Sequence, residues 1–223
     1  MRNRKFSIPI LFCVFALAYV NNTFAQALDI SSGGAPTITG ASGGSVTGSS
    51  SVLNDLVVTV NFGEISPSNI NNIVKVVVPI AIRSNQEYMV QAAVTGTTNA
   101  NVQAVQMTDI GFGANNFRSM GANAKVCTNS SHIFYSPFNN DPAANVTINA
   151  SGRAAYPSTI SNIVGSTVIL SGPRLSSTGK ATRQTDNGYI FNAIFAITPQ
   201  FYAAGSTSAT VTFTISQGPI AAC

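Results

Sequence analysis

The chain has a single histidine, His132, and this limits the chemistry that it can support. A catalytic triad, a histidine-rich zinc site or a histidine general base would each depend on that one residue. Cys127 lies shortly before His132 in the sequence. A Cys–His nucleophile needs a thiolate within hydrogen-bond distance of the imidazole. One such spacing is a weak signal, and a zinc site needs roughly three or four ligands at set spacings. We therefore predict no catalytic residue and no metal ligand, and interpret His132 as a loop residue.

Two short strings resemble catalytic or phosphate-binding motifs but lack the context that those motifs need. Residues 40–44 fit the G-x-S-x-G pattern, which requires a strand before it and a helix after it. Here the string lies in a Gly/Ser-rich stretch. Gly179-Lys180 lacks the glycine and the hydroxyl residue of a phosphate loop, because Arg174 and Ala181 stand at those places. The seven acidic residues form no close pair in sequence, so we predict no cofactor and no enzyme activity.

The first 25 residues have the pattern of a secretory signal peptide. Arg2, Arg4 and Lys5 form a basic start, an apolar run follows over 6–20, and a small-x-small pattern ends at Ala25. A membrane anchor is the alternative, but the run is short for a span and no stop-transfer charges follow it. We therefore predict export, with Gln26 as the first mature residue and no transmembrane segment after cleavage. Cleavage before Gln26 resembles signal peptides of Bacteroidota-type Gram-negative bacteria, which implies a cell-surface, extracellular or periplasmic location.

Charge is scarce, since only 8% of the residues are charged. Three of the eleven basic residues lie in the predicted signal peptide, leaving eight basic against seven acidic residues. No basic patch is visible, so nucleic acid is a poor candidate partner. The polar surface must consist of Ser, Thr, Asn and Gln. Low charge also weakens the repulsion that keeps protein molecules apart, which favours association with other subunits.

Two cysteines, Cys127 and Cys223, remain after cleavage. Export places them in an oxidising compartment, so we predict a disulfide bond between them. In the chain-entropy description a bond closing so long a loop stabilises the fold by about 4–5 kcal/mol. Two free thiols, or an intermolecular bond through Cys223, are the alternatives.

The mature chain divides into an arm and a domain. Residues 26–51 are rich in Gly, Ser and Thr, which predicts a flexible N-terminal arm. From residue 52 to 223 apolar residues alternate with Ser, Thr and Asn, a pattern typical of strands. Turn residues separate these runs, and no long helical period is present. We therefore predict an all-β, immunoglobulin-like antiparallel β-sandwich of about seven to nine strands, with a closed barrel as the alternative.

Two passages resemble bacterial fimbrial subunits of the chaperone–usher kind. One is the strand–turn–strand passage 76–90, and the other is the closing strand 204–215. In that family an N-terminal arm of one subunit completes the sheet of the next by strand addition. The resemblance implies that the 26–51 arm contacts a neighbouring subunit through its apolar residues, which are Leu28, Ile30, Ile38 and Val46.

These observations predict a structural or adhesive cell-surface protein, and the resemblance adds a fimbria-like fibre subunit assembled by strand exchange. The expected partners are other protein subunits, or a ligand on a host or environmental surface. A monomeric carbohydrate- or protein-binding sandwich is the alternative.

Overall fold

The computed structural model describes residues 26–30, 34–50, 54–65, 73–100, 105–120, 132–148, 150, 153–175, 188–198 and 204–219. The predicted signal peptide and both cysteines of the predicted disulfide, Cys127 and Cys223, lie outside these ranges. The described residues form strands and two single 3-10 turns, Met107–Asp109 and Ile160–Asn162. Within the same ranges, no helix is long and apolar enough to cross a membrane.

The described ranges contain thirteen strands. They are β1 (Gln26–Asp29), β2 (Thr37–Thr39), β3 (Ser45–Ser49), β4 (Asp55–Ile65), β5 (Val74–Ser84), β6 (Tyr88–Ala100), β7 (Ile110–Ser119), β8 (Ile133–Phe134), β9 (Thr147–Ile148), β10 (Ala154–Ala155), β11 (Thr167–Gly172), β12 (Tyr189–Ile197) and β13 (Gly205–Gln217).

The strands form two antiparallel sheets and a small ribbon. In sheet A, β12 lies between β5 and β7, and both β1 and β2 pair with the outer edge of β5. Sheet B has the order β3-β4-β13-β6-β11-β8. The ribbon pairs β9 with β10. The prediction of an all-β antiparallel sandwich is confirmed, although short edge strands raise the strand number above the expected seven to nine.

The order of the long strands corresponds to an immunoglobulin-like arrangement. The chain changes sheet between β5 and β6, between β6 and β7, and between β12 and β13. Strands β5, β12 and β7 therefore lie side by side in the order of strands B, E and D of an immunoglobulin domain. Strands β6 and β13 are neighbours like its strands C and F. Strand β4, which comes early in the chain, pairs with the far side of β13, where the last strand of such a domain lies.

The core follows from period-two alternation in the long strands. In β13, Val211, Phe213 and Ile215 are fully buried between the sheets, whereas the threonines between them face outward. The ring of Phe112 lies at the centre of this core, with centroids 5.2 Å from Phe195 and 6.3 Å from Phe213. Because side chains point alternately to opposite faces of a strand, the Thr-Val-Thr-Phe pattern fixes which face of β13 is buried.

A connecting segment covers part of the outer face of sheet A. Its described residues, 138–148, 150 and 153–159, include hydrogen-bond partners of the edge of β7, such as the Ser158 carbonyl oxygen, which accepts from the Phe112 amide at 3.0 Å. The approach is close, because a Cβ atom on Gly113 would lie 2.2 Å from the carbonyl oxygen of Asn140. The outward-facing Ile194 is consequently only 2% exposed. Sheet A is thus buried on both faces along much of its length.

The structure differs from the expected flexible arm at 26–51. Residues 26–49 contain β1, β2 and β3, which pair with β5 and β4 of their own chain. Backbone groups supply this pairing, so a segment poor in apolar side chains can still form edge strands. Gly40 and Gly43, with φ angles of +83° and +73°, form the turn that carries the chain from sheet A to sheet B.

Candidate functional surfaces

His132 lies in an aromatic cluster. Its imidazole stacks on the ring of Phe117 with a centroid distance of 4.0 Å, and the ring of Tyr189 lies 5.0 Å away. Tyr88 is a third neighbour, at 5.9 Å. The site is tightly packed, since a Cβ atom on Gly172 would lie 2.3 Å from His132 Cδ2. His132 is therefore the loop residue that we expected, directly before β8, but its side chain is buried and packed among aromatic rings.

The phenols of this cluster stay protonated at neutral pH. Burial raises the pKa of Tyr88 well above its usual value, and the nearby Tyr189 raises it further. Burial also raises the pKa of Tyr189. Neutral phenols and an imidazole stacked on a phenyl ring form a packed aromatic layer between strands of both sheets. The suggested nucleophilic partner of His132, Cys127, lies outside the described residues.

Three of the six acidic residues in the described ranges serve separate structural contacts. Asp29 pairs with Arg83 at 3.7 Å, and Asp141 pairs closely with Lys75. The Asp109 carboxylate accepts from the Gln106 amide at 2.8 Å and pairs with Arg153 at 3.4 Å. Across the described ranges, no group of three or more His, Cys, Asp or Glu residues could hold a metal ion. The G-x-S-x-G string at 40–44 forms a strand-to-strand turn, which lacks the following helix of a nucleophile elbow.

Strands β1–β3, here called the N-terminal strands, contain three of the four predicted subunit-contact residues, and the fourth, Ile30, directly follows β1. The side chain of Leu28 enters the core between the sheets and is 4% exposed. Ile30, Ile38 and Val46 are partly buried and pack against the same core. These four residues therefore contact their own chain, at the edges of both sheets.

Polar contacts fasten β1 at its two ends. The Gln26 side-chain amide donates to Ser84 Oγ and to the Ser216 carbonyl oxygen, each at 3.2 Å. Asp29 forms its ion pair with Arg83, whose side chain is almost completely buried. One buried leucine, one ion pair, the two Gln26 hydrogen bonds and a four-residue strand pairing thus hold β1 in place. This amount of contact is small compared with the long pairing of β4 with β13.

Sheet B presents an open outer face that the sequence pattern alone did not predict. Its outward side chains on β3, β4, β13 and β6 are half-buried or exposed, in contrast to the covered outer face of sheet A. We call the central part of this surface the hydroxyl face, consisting of Thr47, Thr59, Thr95, Thr98, Ser208 and Thr210. The alternating threonines and serines of β13 were the available signal, but they could not reveal which strands lie beside it.

The hydroxyl groups of this face hydrogen-bond across the strands. Thr59 Oγ1 and Thr210 Oγ1 are 3.0 Å apart, and Thr98 Oγ1 contacts Ser208 Oγ. Thr95 Oγ1 donates to the Thr210 carbonyl oxygen at 3.2 Å. These contacts hold the side chains in fixed positions on the sheet.

Two surfaces, the N-terminal strands and the hydroxyl face, therefore remain as candidates for function. Comparison of the chain with known protein families, with curated proteins and with solved structures finds no match.

Proposed function

We propose that this chain is an exported, non-catalytic structural subunit of a bacterial cell surface, and that copies join by exchanging their N-terminal strands. The observation that carries the proposal is the position of these strands. They lie at the edges of both sheets, they directly follow the predicted signal peptide, and they complete a sandwich whose long strands begin at β4.

Exchange requires that the N-terminal strands detach from their own chain and bind to another copy at a low cost in free energy. Burial of Leu28 contributes about 1.5–3 kcal/mol, which is the usual range for a leucine side chain. A second copy can supply the same leucine, the same ion pair and the same backbone hydrogen bonds. Exchange of an identical element therefore changes the total contacts little, which is why it is a low-cost route to assembly. The low proportion of charged residues supports close approach of copies.

An alternative outcome is a self-contained monomer that binds a partner through its surface. Light scattering coupled to size exclusion separates the two outcomes, with the mature chain studied over a wide range of concentration. Strand exchange predicts dimers or longer assemblies that increase with concentration and form slowly. A single monomer mass at every concentration, after prolonged incubation, would refute the proposal.

A disulfide lock provides the matched control. Thr37 on β2 and Val77 on β5 are directly opposite partners in the antiparallel pairing. Opposite Cβ atoms on antiparallel strands are about 4.5–5.5 Å apart, close to the range that a disulfide bridges. The variant Thr37→Cys/Val77→Cys, oxidised while monomeric, should stay monomeric and should regain assembly on mild reduction. Assembly that proceeds equally in the oxidised variant would show that copies join elsewhere.

A further inference from the structure

The hydroxyl face is a second surface, and all of its residues except Thr47 lie on strands outside the exchanged segment. Four strands contribute to it, and their only charged residues are Asp55 and Glu64, at the two ends of β4. Between those ends the exposed groups are hydroxyls, methyls and amides. Such a surface offers no ion pair to a charged ligand, so the ligand that it suits is itself uncharged.

The spacing of the hydroxyl groups is regular. Thr47, Thr59 and Thr210 are successive partners across β3, β4 and β13, and Ser208 lies one step along the same face. Neighbouring strands are about 4.8 Å apart, and residues on one face repeat about every 6.8 Å along a strand. The face is therefore a grid of hydroxyl groups about 14 Å wide across four strands.

The grid is also preorganised. Each hydroxyl has one donor hydrogen and two acceptor lone pairs, so the contact between Thr59 and Thr210 leaves capacity for a further partner. Side chains that are already fixed lose less conformational entropy when they bind a ligand. A threonine hydroxyl also carries a neighbouring methyl group, which suits the mixed apolar and hydroxyl faces of sugar rings.

We propose that the hydroxyl face binds neutral polysaccharide chains. A polymer of sugar rings carries uncharged hydroxyl groups at repeated intervals, which can donate to and accept from the rows of this grid. Each contact is weak, because a neutral hydrogen bond contributes little net free energy in water. Many contacts along one polymer, and many copies in one assembly, would raise the overall affinity through multivalency.

Pull-down of the mature protein with insoluble polysaccharides tests the proposal. The neutral probes are microcrystalline cellulose, chitin, cross-linked dextran and insoluble mannan, and calcium alginate is the anionic comparison. We expect binding to at least one neutral polymer and none above background to alginate. The double variant Thr59→Val/Thr210→Val keeps the shape and strand preference of both residues but removes both hydroxyls, and should bind about tenfold more weakly.

Two further variants make the result unambiguous. Thr37→Val removes an exposed hydroxyl from β2 in sheet A and should bind like the parent. If the Thr59→Val/Thr210→Val protein does not fold by circular dichroism, Thr95→Val/Thr98→Val removes two exposed hydroxyls of the same face on β6 instead. Failure of the folded parent to bind any neutral polymer, or equal binding by the hydroxyl-face variant, would refute the proposal. Neither result depends on assembly, because Thr59 and Thr210 lie on strands outside the exchanged segment.

Discussion

Replacing Leu28 by alanine tests whether β1 is an integral part of the folded domain. The side chain is 4% exposed and belongs to the core between the two sheets, and its residue pairs with Ile82 on β5. The lost transfer free energy is about 1.5–3 kcal/mol. A residual cavity adds to this, but β1 is an edge strand that can move inward and partly close it. We therefore expect the free energy of unfolding to fall by about 2–4 kcal/mol.

The assay is urea unfolding of dilute protein, followed by far-ultraviolet circular dichroism because the chain has no tryptophan. The control is Val164→Ala, since Val164 is 79% exposed and its truncation should change stability by less than about 0.5 kcal/mol. A Leu28→Ala effect as small as that of the control would mean that β1 is detached in solution. The account of the N-terminal strands would then be wrong.

Three other perturbations have defined outcomes. Gly113→Ala should lower the free energy of unfolding by about 1–3 kcal/mol in urea titrations, because its Cβ would meet the Asn140 carbonyl oxygen. Gly96→Ala, where no atom lies within 4 Å of the added Cβ, should show no such overpacking penalty. Burial raises the pKa of Tyr156 to about 12, so the folded state holds a proton that the unfolded state loses above pH 10. The contribution of Tyr156 to stability should therefore be constant below that pH and fall as the pH rises towards 12, and Tyr156→Phe should reduce this slope in denaturation measured across the range. Asp141→Asn breaks a partly exposed ion pair with Lys75 on β5. It should change the free energy of unfolding by less than about 1 kcal/mol, even at low salt.

The strand content could be predicted from the sequence because the long strands carry a period-two pattern. In β4 and β13, buried Val, Phe and Ile alternate with outward Thr, Ser and Asn, so both the strand and its buried face can be read directly. The number of strands could not be read in this way. Strands such as β9 and β10 have two residues each, too few for any alternation to be visible.

The N-terminal strands were predicted as a flexible arm because their composition is that of a linker. Composition reports side chains, whereas the pairing of β3 with β4 depends on backbone hydrogen bonds and on the position of the partner strand. The apolar residues Leu28, Ile30, Ile38 and Val46 were identified, but their spacing alone could not distinguish packing within the chain from packing against a neighbour.

The aromatic cluster around His132 and the hydroxyl face both bring together residues that are distant in sequence. Phe117 and His132 meet Tyr88 and Tyr189 only because β6, β7 and β12 bring their ends together. Likewise, Thr59 and Thr210 are neighbours through the register of β4 with β13. A sequence pattern specifies which face of a strand a residue occupies, and the sheet order then decides which residues share a surface.

The most direct test of strand exchange uses an isotope-mixed assembly of Thr37→Cys/Val77→Cys chains. Equal amounts of unlabelled and nitrogen-15-labelled reduced protein are assembled together, oxidised, digested and analysed by mass spectrometry. Exchange predicts that the peptide joining positions 37 and 77 contains one labelled and one unlabelled strand in about half of the exchanged molecules, as random pairing requires. If every such peptide carries a single label while the protein is fully assembled, β2 has stayed on its own chain and the account is contradicted.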